Sequence, residues 1–145
     1  MKATALGAVA LALYGAAASA VPPGPELDWI LHCQGCHGAD GRGAKSHVPS
    51  LRDSVAPLMQ LPEGRDFLMR VPGAANSALS DQELAGVLNW LVVEFGGAGT
   101  PVDAHRFTAE EVRAARARPL LAVRRSRNEV AARLVAAGLA RPEDY

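Results

Sequence analysis

Cys33 and Cys36 are the only cysteines in the chain, and they stand in the pentapeptide Cys33-Gln34-Gly35-Cys36-His37. No other feature restricts the fold as strongly, because the domain must be built around whatever these thiols hold. Three chemistries use such a pair. A redox dithiol of the thioredoxin kind needs a βαβ context, and the flanking sequence offers none. A zinc site needs two further ligands of fixed geometry, which only His32, His37, His47 or His105 could supply; this alternative stays open. The third is a porphyrin. In C-x-x-C-H the two thiols add to the two vinyl groups of one macrocycle, and the histidine is delivered beneath the iron. The spacing fits this third chemistry, so Cys33 and Cys36 are the candidate haem thioether residues and His37 the candidate proximal iron ligand.

The N-terminus points to an exported compartment. Lys2 is the only early charge; an uncharged, alanine-rich run follows, and Ala18-Ser19-Ala20 precedes Val21-Pro22-Pro23. A positive start, an apolar run short of the ~20 residues that span a bilayer, and an A-x-A pattern read as a cleaved signal peptide over residues 1 to 20. The expected location is therefore periplasmic or otherwise exported, with a membrane attachment only if the segment stays uncleaved.

Across the whole chain 15 basic residues balance 15 acidic ones, which speaks against a uniformly basic nucleic-acid binder and against an acidic disordered chain. No aromatic platform lies among the arginines, so no nucleic-acid partner is expected.

With these residues in hand, the stretch from about 26 to 96 resembles the class I cytochromes c, the small monohaem all-helical family. The resemblance rests on Cys33, Cys36 and His37, on the glycine-punctuated Gly38-Ala39-Asp40-Gly41-Arg42-Gly43, and on Pro49-Ser50-Leu51. It implies an all-α fold, one covalently bound haem c, and a Pro49 carbonyl that accepts a hydrogen bond from the proximal histidine, fixing its tautomer and strengthening it as a donor. It also implies that an N-terminal helix and a C-terminal helix meet through an aromatic contact, here Trp29 against Trp90.

The local pattern agrees with helices. Glu26 to Leu31 reads as a short helix with Pro25 in its first turn. Ser80-Asp81-Gln82-Glu83 is a capping box, after which Leu84, Val87, Leu88, Leu91, Val92 and Phe95 recur at helical spacing until Gly96-Gly97. Arg65 to Arg70 reads as a further short helix carrying Phe67 and Leu68 inward. A haem domain over residues 21 to 96 is small enough that its own core is marginal and a staple is needed; haem would be that staple.

A linker over residues 97 to 102 leads into an Arg/Ala-rich helical extension over 103 to 145, outside the resemblance. Residues 21 to 102 carry nine acidic and five basic side chains, and 103 to 145 carry nine arginines against six acids. Thr108-Ala109-Glu110-Glu111 opens one helix, Pro119 interrupts, and Ser126 to Gly138 suggests another. Because its charges are interspersed, the extension reads first as a solvated amphipathic pair; a strap over the acidic haem domain and a docking element for an acidic partner are the alternatives.

The sixth iron ligand is the open question. Thioether ligation raises the potential of a carrier, and two methionines remain after the leader, Met59 and Met69. Met69, nearer the capping box, is the candidate distal ligand, with Met59 and His47 as rivals and core packing as its alternative role. The segment Pro72-Gly73-Ala74-Ala75-Asn76-Ser77, where the resemblance puts the ligand, has no methionine. The expected function is an exported electron carrier rather than an enzyme, passing single electrons between redox proteins such as an exported dehydrogenase and a terminal oxidase. The alternative is an open-coordination haem protein acting as a ligand sensor or peroxidase-like enzyme.

Overall fold

The computed structural model describes residues 24 to 44, 47 to 52, 54 to 101 and 105 to 142; the leader expected over 1 to 20 lies outside them. Among these residues there are eight α-helices and no strand apart from one isolated bridge between Ala44 and Val48. None of the helices is long and apolar enough to cross a membrane. The expected all-α class is what the chain adopts.

Pro25 opens α1 (Pro25–His32), where its missing N–H costs nothing, and Glu26 and Asp28 sit in the first turn. A single turn, α2 (Gln34–His37), follows from Cys33 and ends at Gly38, whose φ is 75°. The short α3 (Val55–Met59) is buried at all five positions. Next come α4 (Pro62–Arg70), which buries Phe67 and Met69, and the four-residue α5 (Pro72–Ala75). That last turn replaces part of the open loop expected after α4: Pro72 supplies a helical φ at a first-turn position.

The longest helix, α6 (Asp81–Gly96), starts at the expected capping box. Ser80 Oγ accepts from the Glu83 N–H at 3.2 Å, and the Glu83 carboxylate accepts from the Ser80 N–H at 2.7 Å. Its apolar residues face two ways. One side packs on α1, where Trp29, 2% exposed, lies 5.8 Å from the Trp90 ring centroid and 5.3 Å from that of Phe95. The other packs on α7 (Ala109–Arg116), which has its own capping box between Thr108 and Glu111. The last helix, α8 (Val123–Ala136), starts earlier than the expected Ser126 and packs on α3 and α4.

The C-terminal segment is therefore docked, not solvated. Phe107, Val112 and Ala115 belong to the same buried cluster as Trp29, Leu84 and Leu88, while Val130 and Leu134 close a second cluster with Leu58 and Phe67. Val112 and Leu134 are 0% exposed, and burying each side chain contributes about 1.5–3 kcal/mol. Several of the interspersed charges that suggested a solvated face are paired across the chain. Arg116 meets Asp81 at 2.7 Å, Arg118 meets Asp66 at 2.6 Å, and Arg133 bonds Glu63. Sequence alone could not show this, because each partner lies more than thirty residues away.

Close approach of α3 and α4 depends on Gly64. A Cβ there would stand 2.1 Å from the Leu58 carbonyl oxygen, a backbone atom that cannot rotate away. Gly64→Ala should thus destabilise the protein by about 1–3 kcal/mol, read as a lower urea midpoint with an unchanged slope.

The paired acids give a second expectation. Burial acts to raise the Asp66 carboxyl, but hydrogen bonds and charge from Arg70 and Arg118 outweigh it and hold it below its ordinary value. Glu111 is held down in the same way, with burial opposed by Thr108 and Arg65. Carboxylates depressed in the folded state stabilise it above their unfolded values near 4 and lose that contribution as pH falls through the folded values. Thermal midpoints should fall on acidification below about pH 4, and the fall should be shallower in Asp66→Asn and Glu111→Gln.

A candidate haem-attachment site on the second helix

Cys33 is the joint between α1 and α2. Its N–H donates to the Trp29 carbonyl at 2.9 Å, ending α1, and its own carbonyl accepts from the N–H groups of Cys36 at 3.2 Å and His37 at 3.1 Å. One helical turn brings residues three apart onto a common face, so the local fold aligns the two thiols without help from the rest of the protein. Both are free; Cys33 is half-buried and Cys36 exposed. Burial, then the charges of Asp28 and Cys36, push the Cys33 thiol up to about 11.

His37 is half-buried, with its ring centroid 6.0 Å from that of Trp29. Burial lowers its pKa, and the Pro49 backbone carbonyl acts on the ring in the opposite direction. Nδ1 is buried, and no hydrogen bond of regular geometry reaches it. The imidazole is therefore held neutral, the form that donates a lone pair to a metal.

The loop after α2 brings Pro49 back to this ring. Gly43 N–H donates to the His37 carbonyl at 2.7 Å, Leu51 N–H donates to the Gly41 carbonyl at 2.8 Å, and the Ala44–Val48 bridge closes the turn between them. Gly41 has a φ of 72°, and a Cβ there would meet the Phe95 ring at 2.8 Å, so the loop lies directly on the end of α6. The Arg52 guanidinium sits 5.5 Å from the same ring centroid and bonds the Asp40 carbonyl.

The other candidates are dispersed. Met69 is 5% exposed on α4 and Met59 is 9% exposed at the end of α3, both within the main core. His47 is exposed on the turn before Pro49, His32 is exposed at the end of α1, and His105 is exposed in the C-terminal segment. The helices bearing His37 and Met69 are held by different neighbours: α2 by α1, and α4 by α3, α5, α7 and α8. Arg65 on α4, which gathers several polar contacts from the C-terminal segment, was not marked by the sequence, since its partners are all 40 or more residues away.

Two observations test which group these residues fit. Among the described residues no three His, Cys, Asp or Glu side chains converge on one point, so the thiols and imidazole are spread along a helical turn rather than gathered into a tetrahedron. Zinc lacks its ligand set there. A porphyrin would take the two thiols as separate thioether attachments and the imidazole as an iron ligand, which suits two free thiols on one turn beside a neutral imidazole with a buried Nδ1. The residues present fit haem.

Comparison with known proteins agrees. No protein-family model matches the chain. It is 31% identical over 130 residues to a cytochrome c-552 of Thermus thermophilus, covering 77% of this chain and 86% of that protein. It is 32% identical over 106 residues to a second cytochrome c-552 of the same species, covering 61% of this chain and 81% of the relative. A match over 77% of the chain cannot be contained in residues 1 to 96, so the likeness reaches into the C-terminal segment, which the resemblance carried by the motifs leaves out. With this coverage, and with a C-x-x-C-H turn whose half-buried histidine lies against a proline carbonyl, the chain belongs to the c-type cytochromes as a relative of cytochrome c-552.

Proposed function

We propose that the protein is an exported single-electron carrier with one haem c. The observation that carries the reading is the α2 turn itself: two free thiols and a neutral, half-buried His37, in a chain of the c-type cytochrome family. When bound, haem supplies the one-electron couple of its iron, and the protein tunes it through axial ligation and burial.

The chain's own residues divide the work. Cys33 and Cys36 hold the macrocycle by thioether bonds, which suits a carrier in an exported compartment because the group cannot be lost to dilution. His37 gives its lone pair to the iron. The Pro49 carbonyl, already acting on the ring, orients the imidazole and raises its basicity. Met69 is the distal ligand in this reading: it is buried on the helix that precedes α5, within the core that includes Trp29. Donor and acceptor are redox proteins of the same compartment, with an exported dehydrogenase and a terminal oxidase as the kinds of partner.

A second reading has its own support. Residues 72 to 77 contain no methionine, and Met59 and Met69 are both core residues. A protein with an open iron position would act as a ligand sensor or a peroxidase-like enzyme.

Material made with full maturation machinery should keep its pigment through denaturing electrophoresis, whereas Cys33→Ala plus Cys36→Ala should run colourless. A pigment lost from the unmutated protein on the gel overturns the haem reading. Met69→Ala should abolish the sulfur-to-iron absorption band, lower the reduction potential and let the reduced protein bind carbon monoxide. If the unmutated reduced protein binds carbon monoxide rapidly and completely at neutral pH, the open-coordination reading replaces the carrier.

A further inference from the structure

Gly43 lies between the two groups that meet at the candidate histidine. Its N–H donates to the His37 carbonyl at 2.7 Å, and its bare Cα faces the backbone of Val48 and Pro49. A Cβ there would stand 2.3 Å from the Val48 carbonyl oxygen and 2.7 Å from that of Pro49. No rotamer relieves this conflict, because both atoms belong to the main chain. The Val48 carbonyl is not free to swing aside either: it accepts from the Ala44 N–H at 2.9 Å, while the Val48 N–H donates back to the Ala44 carbonyl at 2.8 Å. Gly43 also has a φ of 69°, in the left-handed region that glycine enters without steric cost.

This close approach bears on the imidazole. The Pro49 carbonyl acts on the His37 ring, whose Nδ1 is buried. Beyond Pro49 the returning segment is held again, where the Leu51 N–H donates to the Gly41 carbonyl at 2.8 Å and Arg52 bonds the Asp40 carbonyl. With the segment fixed on both sides, a side chain at position 43 would have to displace the backbone of residues 48 and 49, and the Pro49 carbonyl with it. The neighbouring glycine differs. Gly41 is also left-handed, with a φ of 72°, but the atoms a Cβ would meet there belong to the Phe95 ring.

We propose that Gly43 is a positioning residue of the candidate site: having no side chain, it lets the Pro49 carbonyl reach the His37 imidazole, and so sets how strongly that ring donates to the iron. This deepens the proposed function and rests on His37 being the iron ligand of a bound haem. Gly43 acts through Pro49, not on the iron itself. A carbonyl that accepts from one ring nitrogen strengthens the other as a donor, and a stronger donor favours the more highly charged, oxidised iron.

The test uses the full-length holoprotein with Gly43→Ala, Gly43→Asn and Gly41→Ala. Asparagine enters a left-handed backbone more readily than alanine, so Gly43→Asn keeps the steric conflict with less strain and carries the test if Gly43→Ala fails to fold. Two readouts follow the ring: solvent exchange of the His37 Nδ1 proton in the reduced protein, by nuclear magnetic resonance, and the reduction potential. In the unmutated protein that proton should exchange slowly. In a folded Gly43 variant it should exchange at least about tenfold faster, and the potential should rise. The oxidised-to-reduced ratio at a fixed ambient potential should fall about tenfold, equivalent to about 59 mV for one electron. Gly41→Ala should lower the thermal midpoint and leave both readouts unchanged. A folded Gly43 variant whose ring proton and potential match the unmutated protein overturns the proposal. So does a Gly41→Ala that shifts them as far, or a ring proton that exchanges fast in the unmutated protein. Failure of both Gly43 variants to fold also overturns it, since Gly43 is then a requirement of the fold and not of the histidine. Pigment lost from the unmutated protein on a denaturing gel overturns the haem reading instead, and is seen before any glycine variant is made.

Discussion

Everything in the described chain is organised by the burial of α6 from two sides. Its Leu84, Val87, Leu88 and Leu91 are nearly inaccessible to solvent, and no single neighbour covers them. Trp29 of α1 closes one side with Trp90 and Phe95, while Phe107 and Val112 of the C-terminal segment close the other. A small domain has too little apolar surface to stabilise itself generously, and this chain extends its core by drawing in Phe107, Val112, Val130 and Leu134. The placement of the candidate site then follows directly, because α2 is continuous with α1, and α1 is held by Trp29 against α6.

The site combines a local device with a tertiary one. Helical spacing aligns the two thiols, and this requires only one turn of backbone. The state of His37 requires more: burial under the loop that returns to Pro49, a loop seated on Phe95 at the far end of α6. The same fold therefore buries the imidazole and lowers its pKa.

The charges of the C-terminal segment have a comparable double role. Scattered along the chain, they resemble a solvated surface; in the fold they reach the acids of α4 and α6 and the carbonyls of Ser77 and Leu79. Isolated surface ion pairs contribute little, and pairs such as Arg133 with Glu63 belong to that class. Arg65 and Arg116 differ, being mostly buried and bonded to several groups each. Both therefore tie the segment to the helices it packs on, Arg65 from α4 and Arg116 to the start of α6.

Short-range rules account for all that was legible in the string of residues. The capping boxes at Ser80 and Thr108, the proline that opens α1, the helical period of α6 and the C-x-x-C-H turn each depend on residues within a few positions of one another, so no knowledge of the fold was needed to read them; that Pro62 and Pro72 also open helices came only from the structure. The contact of Trp29 with Trp90 was also anticipated, through resemblance. How the C-terminal segment lies, which arginine meets which acid, and that Arg65 is the meeting point emerged only from the packed chain. Those outcomes depend on the side chains that a core brings together across more than thirty residues, and charge order along a chain carries no record of such distances.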